Sequence, residues 1–450
     1  MLQEILLSLA LIFFFVFLIM KLKFFRRLGI KTRVLVLVFL LKLVTGVGVS
    51  FIYTHYYDPW TADMYKYFHG GRALYSAMEE SPSDYFKMLT GIHANEPQLT
   101  KYYDYADYWY KKYNYGLYND NRTMIRYNAF LCLISQGNYY VNLVITIFLS
   151  FCGAFLLALG LHKCMPGKNL LLFFCIFLVP TVLFWSSGLL KESLVMFSMG
   201  AMVYFLIRFK ELLKVKYLLF FIVTAVLLFF SKFYVLLALT PGMVFYMVVK
   251  KNNYWRQTLV MSIIFGVILI LFFSSKSITG LDFAKIISEK QTDFVKFVNL
   301  AEDAGSNVDL PQVDPSPQGI ISHLPVAYYH SFFRPNIFEG GSVFSRMAAF
   351  ENTGVIFLCI LLLIYFRKPD KQEYKVILFS GSFILILYAL IGLTTPNLGA
   401  LVRYKMPAMP FLILIICLCI NTKKMPLIIN KGIQILSDMV IEKPLTHQEH

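Results

Sequence analysis

Charge is what this chain has least of. Asp, Glu, Lys and Arg make up 15% of its 450 residues, against roughly 25% in soluble globular proteins. That scarcity excludes an ordinary soluble enzyme. The sequence also lacks a P-loop, a GxGxxG turn, a GxSxG elbow and a cluster of metal-spaced histidines, so coupling to bound nucleotide has no support. Its seven cysteines (Cys132, Cys152, Cys164, Cys175, Cys359, Cys417 and Cys419) lie within or beside apolar runs and form no CxxC pair. They suggest neither a disulfide framework nor a thiolate metal site. A secretory leader is not evident either: MLQEILLSLALIFFFVFLIM has no basic start and no small-residue cleavage site, and reads as a retained first helix.

What is present is hydrocarbon. Apolar residues form 58% of the chain and recur in runs long enough to cross a bilayer. The reading is an all-α polytopic membrane protein, a single integral membrane domain over residues 1–450. Eleven spans are expected near 4–20, 34–53, 139–161, 169–189, 192–208, 217–231, 233–249, 258–274, 352–366, 375–394 and 404–421. The net charge of +16 does not point to nucleic acid, because the cations gather in short connections. Lys21, Lys23, Arg26, Arg27, Lys31 and Arg33 form one group, Arg208, Lys210, Lys214 and Lys216 a second, Arg367, Lys368, Lys371 and Lys375 a third. Positive loops stay in the cytoplasm, which places the N-terminus outside and the tail, 422–450, inside. Two long extracytoplasmic loops follow, 54–138 and 275–351. The first is rich in tyrosine. The second opens with LDFAKIISEKQTDFVKFVNL, an expected interfacial helix, and continues through AEDAGSNVDLPQVDPSPQG, which reads as a mobile loop.

In this frame PTVLFWSSGLLKE turns back at the outer boundary, with Pro180 kinking the fourth span and Gly188 easing the reversal. Lys191 and Glu192 then either cap the hairpin as an ion pair or face an external cavity. Lys191, Lys232, Arg403 and Lys405 all depart from the rule that short external turns carry few cations. An anionic ligand explains the four together; snorkelling at a helix end explains any one of them. Arginine can clamp a phosphate through two parallel hydrogen bonds, and Arg334 in FFRPNIFE offers another such group beside Glu339. Asp58 and Asp63, in YTHYYDPWTAD, follow the second span. Asp58 reads best as the start of a turn before Pro59. Asp63 either caps the next helix or acts as a base on an acceptor hydroxyl, or as a ligand for a divalent cation such as Mg or Mn. Lys42, deep in the second span, calls for a polar partner within the bundle.

The acidic first loop and RYKMPAMPFL at the last span resemble membrane glycosyltransferases of the GT-C superfamily. PTVLFWSSGLLKE, FFRPNIFE and RYKMP together resemble bacterial membrane proteins associated with cell-surface polysaccharide synthesis. DPWTAD stands where the superfamily has an adjacent acidic pair, and an extra span precedes the loop. The resemblance implies transfer of a sugar from a polyprenyl-phosphate donor to a glycan, lipid or protein acceptor on the outer face of the bacterial cytoplasmic membrane. Asp63 is then the catalytic base or metal ligand. Lys191, Arg403 and Lys405 neutralise the lipid phosphate, Lys232 and Arg334 are further phosphate contacts, and Glu192 orients Lys191. The expected partners are the lipid-linked donor, membrane lipid and the acceptor, without nucleic acid. Two other readings stand beside it. One is a polysaccharide polymerase or ligase acting on a lipid diphosphate, resting on Arg334 and Arg403. The other is a flippase for the same lipid, for which inverted repeats are not found.

Overall fold

The computed structural model describes residues 2–55, 62–110, 118–250, 253–300, 307–339 and 343–442; Asp58 lies outside them. The protein is helical. No strand occurs among the described residues, which carry only three isolated bridges. Among the described residues, seven helices are long and apolar enough to cross a membrane, or eight if one bent pair counts as a span.

The apolar runs map onto helices with informative departures. The run 4–20 is the helix Leu2–Lys21. The run 169–189 is broken: Asn169–Phe177 stops, and Pro180 begins a new short helix, Pro180–Trp185, rather than kinking a continuous one. Proline suits a first helical turn, where its missing N–H is no loss. The runs 217–231 and 233–249 join as Val215–Val248, interrupted where Lys232 leaves helical dihedrals. The run 404–421 is bent by 63° between Leu398–Lys405 and Met409–Leu418. The run 352–366 begins earlier, at Val343, because polar residues in FSRMAAFEN hide its first turns from hydropathy.

Two compact units divide the chain. The first gathers Met1–Gly160, Leu183–Phe233 and the residues from Val440; the second gathers Leu161–Val182 and Tyr234–Met439. Phenylalanines lock the first unit: Phe15 stacks on Phe148 at 4.0 Å, Phe39 meets Phe151 at 5.8 Å and Phe25 meets Phe155 at 5.1 Å. Helices Tyr139–Cys164 and Lys191–Leu212 approach so closely that a Cβ on Gly200 would overlap the Gly153 carbonyl. Small residues permit such backbone approach between apolar helices. Gly200→Val is therefore expected to cost at least the about 1–3 kcal/mol typical of overpacking. A detergent melting curve unchanged from wild type would show that the two helices can separate freely.

On this bundle sits a small helical layer, Asp63–Glu80, Pro82–Thr90, Thr100–Tyr103 and Asn121–Ser135. Its core accounts for several of the loop's tyrosines. Tyr67, Tyr85, Tyr102, Tyr103 and Trp109 pack with Met88, Met124 and Ile125, and Leu194 of the bundle joins them. Arg122 and Arg126 lie over Trp109 at 4.8 and 5.2 Å. Burial pushes the Tyr85 and Tyr103 phenols up to about 12. They stay protonated and donate to the Ala129 and Ala94 carbonyls.

In the second unit Phe283–Leu300 is a helix, as its apolar spacing predicts. The described part of the stretch after it is hydrogen-bonded to its neighbours. Val308 N–H donates to the Pro396 carbonyl at 2.7 Å, and Gln291 accepts from Val313 N–H while donating to the Pro311 carbonyl. An acidic, proline-bearing composition signals irregular backbone but not whether a glutamine reaches across to pin it. The helix Pro317–Phe333, capped by Ser316, then packs along Lys371–Thr394, with Ser331 Oγ donating to the Tyr388 carbonyl at 2.7 Å.

Candidate functional site

In the first unit the site is built around the turn after Trp185. Lys42 Nζ donates to the Ser186 carbonyl at 3.1 Å and to Ser186 Oγ at 2.7 Å, and both residues are buried. A Cβ on Gly46 would strike the Ser187 carbonyl, and Gly188 lies beside Val49. These contacts set the turn beside the middle of the 24-residue helix Thr32–His55, with Lys42 about 15 Å along it from Thr32. A lysine from the neighbouring helix thereby satisfies a carbonyl of the buried turn.

The turn delivers Lys191 and Glu192 to the start of Lys191–Leu212. They take separate partners. Lys191 Nζ lies 2.8 Å from Asp120 Oδ2 and 5.6 Å from the centre of the Tyr67 ring. Glu192 Oε1 lies 2.6 Å from Lys232 Nζ. The two pairs differ in access. Glu192 and Lys232 are sealed, with side chains 0% and 4% exposed, whereas Asp120 is 31% exposed beside a Lys191 at 8%. The Lys232 kink is where a cation from the interrupted helix turns in to meet Glu192.

Asp120 is the residue that sequence reasoning missed. It stands at the N-cap of Asn121–Ser135 yet makes no side-chain cap bond, and its carboxylate reaches Lys191 instead. In NDNRT it looks like a capping residue and nothing more. Asp63 occupies the first turn of Asp63–Glu80, with Ala62 in the cap position, so it is not the N-cap itself. Its Oδ1 accepts from the Tyr108 hydroxyl at 3.0 Å. Tyr108 and Tyr67 meet edge to face at 5.7 Å, so Asp63 and Lys191 both border one tyrosine pair.

Among the described residues no three His, Cys, Asp or Glu side chains come together.

The second unit holds Arg334, Arg403 and Lys405. The Arg334 guanidinium is paired with Glu339, which also accepts from Asn336 N–H at 2.9 Å. Lys405, 3% exposed, donates at 3.2 Å to both the Arg334 carbonyl and Asn352 Oδ1, while Asn352 donates to the Pro335 carbonyl at 2.8 Å. FFRPNIFE and RYK thus close on each other as one polar knot, in which Arg334 and Lys405 are structural partners. Arg403, half-buried, shares the short helix Leu398–Lys405. Glu351 is a further residue not anticipated. Its Oε2 accepts from Thr181 N–H at 2.8 Å and Thr181 Oγ1 at 2.5 Å, capping the helix that restarts at Pro180.

Comparison of the chain with models of known families, with characterised proteins and with solved structures returned no match.

Proposed function

We propose that the protein is a membrane glycosyltransferase that takes a sugar from a polyprenyl-phosphate donor and passes it to a cell-envelope acceptor. One observation carries the reading: Lys191 is a nearly buried ammonium, at a helix N-terminus, whose charge is met by a carboxylate still open to solvent. A phosphate can take the place of Asp120 there without leaving a buried charge unpaired, and the helix terminus favours the exchange. The sealed Glu192–Lys232 pair is unsuited to such an exchange. It holds the start of the same helix in place, so Lys232 acts through the scaffold rather than on the donor.

In this reading Asp63 takes the proton from the acceptor hydroxyl as that oxygen attacks the anomeric carbon and the lipid phosphate leaves. Tyr108 holds the carboxylate through its hydrogen bond. Arg403 is a further candidate for the lipid phosphate within its own unit. The topology that accompanies this function is eleven spans, an external N-terminus and a cytoplasmic tail, in a bacterial cytoplasmic membrane.

The base role has its own test. In proteoliposomes charged with sugar-bearing polyprenyl phosphate, Asp63→Asn should cut turnover by about 10²–10⁴-fold, the usual worth of a positioned base. Donor affinity should stay near wild type. Near-normal turnover in the asparagine variant would remove Asp63 from the chemistry.

A further inference from the structure

The helix Leu427–Val440 follows the last apolar run, and its faces divide three ways. Ile428, Ile435 and Met439, at i, i+7 and i+11, fall within about 40° of one another around the axis. They are 79%, 56% and 62% exposed. Ile433 and Val440, about 130° away, are half-buried and buried. Lys431, Gln434 and Asp438 form the third side and are exposed. A helix with one side toward protein and one toward water leaves its apolar stripe for a third medium.

The backbone fixes where that stripe is presented. Ahead of the helix, Arg367 N–H donates to the Cys419 carbonyl at 2.8 Å and Asn421 N–H to the Tyr365 carbonyl at 2.7 Å. Its approach is thereby tied to the basic connection containing Arg367, Lys368 and Lys371. Lys423 and Lys424, both exposed, lead into the helix. Cations at the approach and on the flank of an apolar stripe complement a negatively charged lipid surface.

We propose that Leu427–Val440 is a surface anchor that docks on a bilayer leaflet bearing anionic headgroups. Ile428, Ile435 and Met439 enter the acyl boundary, and Lys423, Lys424 and Lys431 take the headgroup phosphates. This site is separate from the Lys191 site, and its test does not depend on sugar transfer.

The full-length chain would be reconstituted with an environment-sensitive fluorescent amino acid placed by amber suppression at position 435 or 434. In vesicles containing phosphatidylglycerol, position 435 should be quenched by nitroxide-bearing lipid and position 434 by aqueous iodide. Replacing Lys423, Lys424 and Lys431 by Gln should lower the docked-to-undocked ratio by roughly fivefold per lysine. Added salt should act in the same direction. Equal docking in pure phosphatidylcholine, insensitive to salt, would overturn the recognition of anionic headgroups. Iodide reaching 435 as readily as 434 would overturn docking altogether, as would protection of 435 from both quenchers, which would mean a protein covers the stripe.

Discussion

Replacing Lys191 by Met is expected to reduce sugar transfer by about 10²–10³-fold, the scale seen when a preorganised charge is taken from a developing anion. The fold should survive, because the Asp120 carboxylate left behind is 31% exposed and can be hydrated. Asp120→Asn should do the opposite to binding. It frees the ammonium from its competitor, so the donor KM should fall severalfold while turnover changes little. A purely structural Lys191–Asp120 pair predicts another pattern: each single variant melts earlier, the double variant recovers, and the folded fraction of every variant transfers sugar normally.

The largest loss of stability should come from the other pair. Glu192→Leu removes the carboxylate that the buried Lys232 meets at 2.6 Å, which costs about 3–5 kcal/mol, and Lys232→Met takes the same partner from Glu192. Combining the two changes should restore most of the melting temperature, since no buried charge then lacks its counterion. Because the pair fixes the start of the helix bearing Lys191, the double variant should keep measurable transfer. Transfer abolished in a double variant that melts like wild type would instead make Lys232 or Glu192 a direct participant. A single variant as stable as wild type would mean that the pair is dispensable.

Why these residues were partly legible in the sequence follows from what each signal measures. Apolar runs and clustered cations report the solvent around each segment, and they marked the helices Thr32–His55, Tyr139–Cys164 and Tyr254–Phe273 to within a few residues. Lys191 and Lys232 stood out as cations in short turns expected to be external, where few are found. Partner choice did not. Lys191 and Glu192 are neighbours in the chain, yet their partners, Asp120 and Lys232, lie 71 and 40 residues away, and pairing over such separations is settled by packing. The need of Lys42 for a polar partner was evident from its depth, whereas a serine carbonyl in a buried turn carries no mark in sequence. Glu351 was overlooked because polar residues mask the first turns of its helix. Arg334 and Lys405 were singled out as cations on the outer side; their hydrogen bonds to Glu339, Asn352 and the 334 carbonyl are pairings that the sequence does not mark.

Lys191 holding a lipid phosphate is the step on which the proposed function depends most directly. Binding of polyprenyl phosphate itself, without any sugar, isolates that claim from the identity of donor and acceptor. Native mass spectrometry of the purified protein in detergent should show the lipid retained by wild type, lost from Lys191→Met and held more strongly by Asp120→Asn. Retention by Lys191→Met equal to wild type would contradict it.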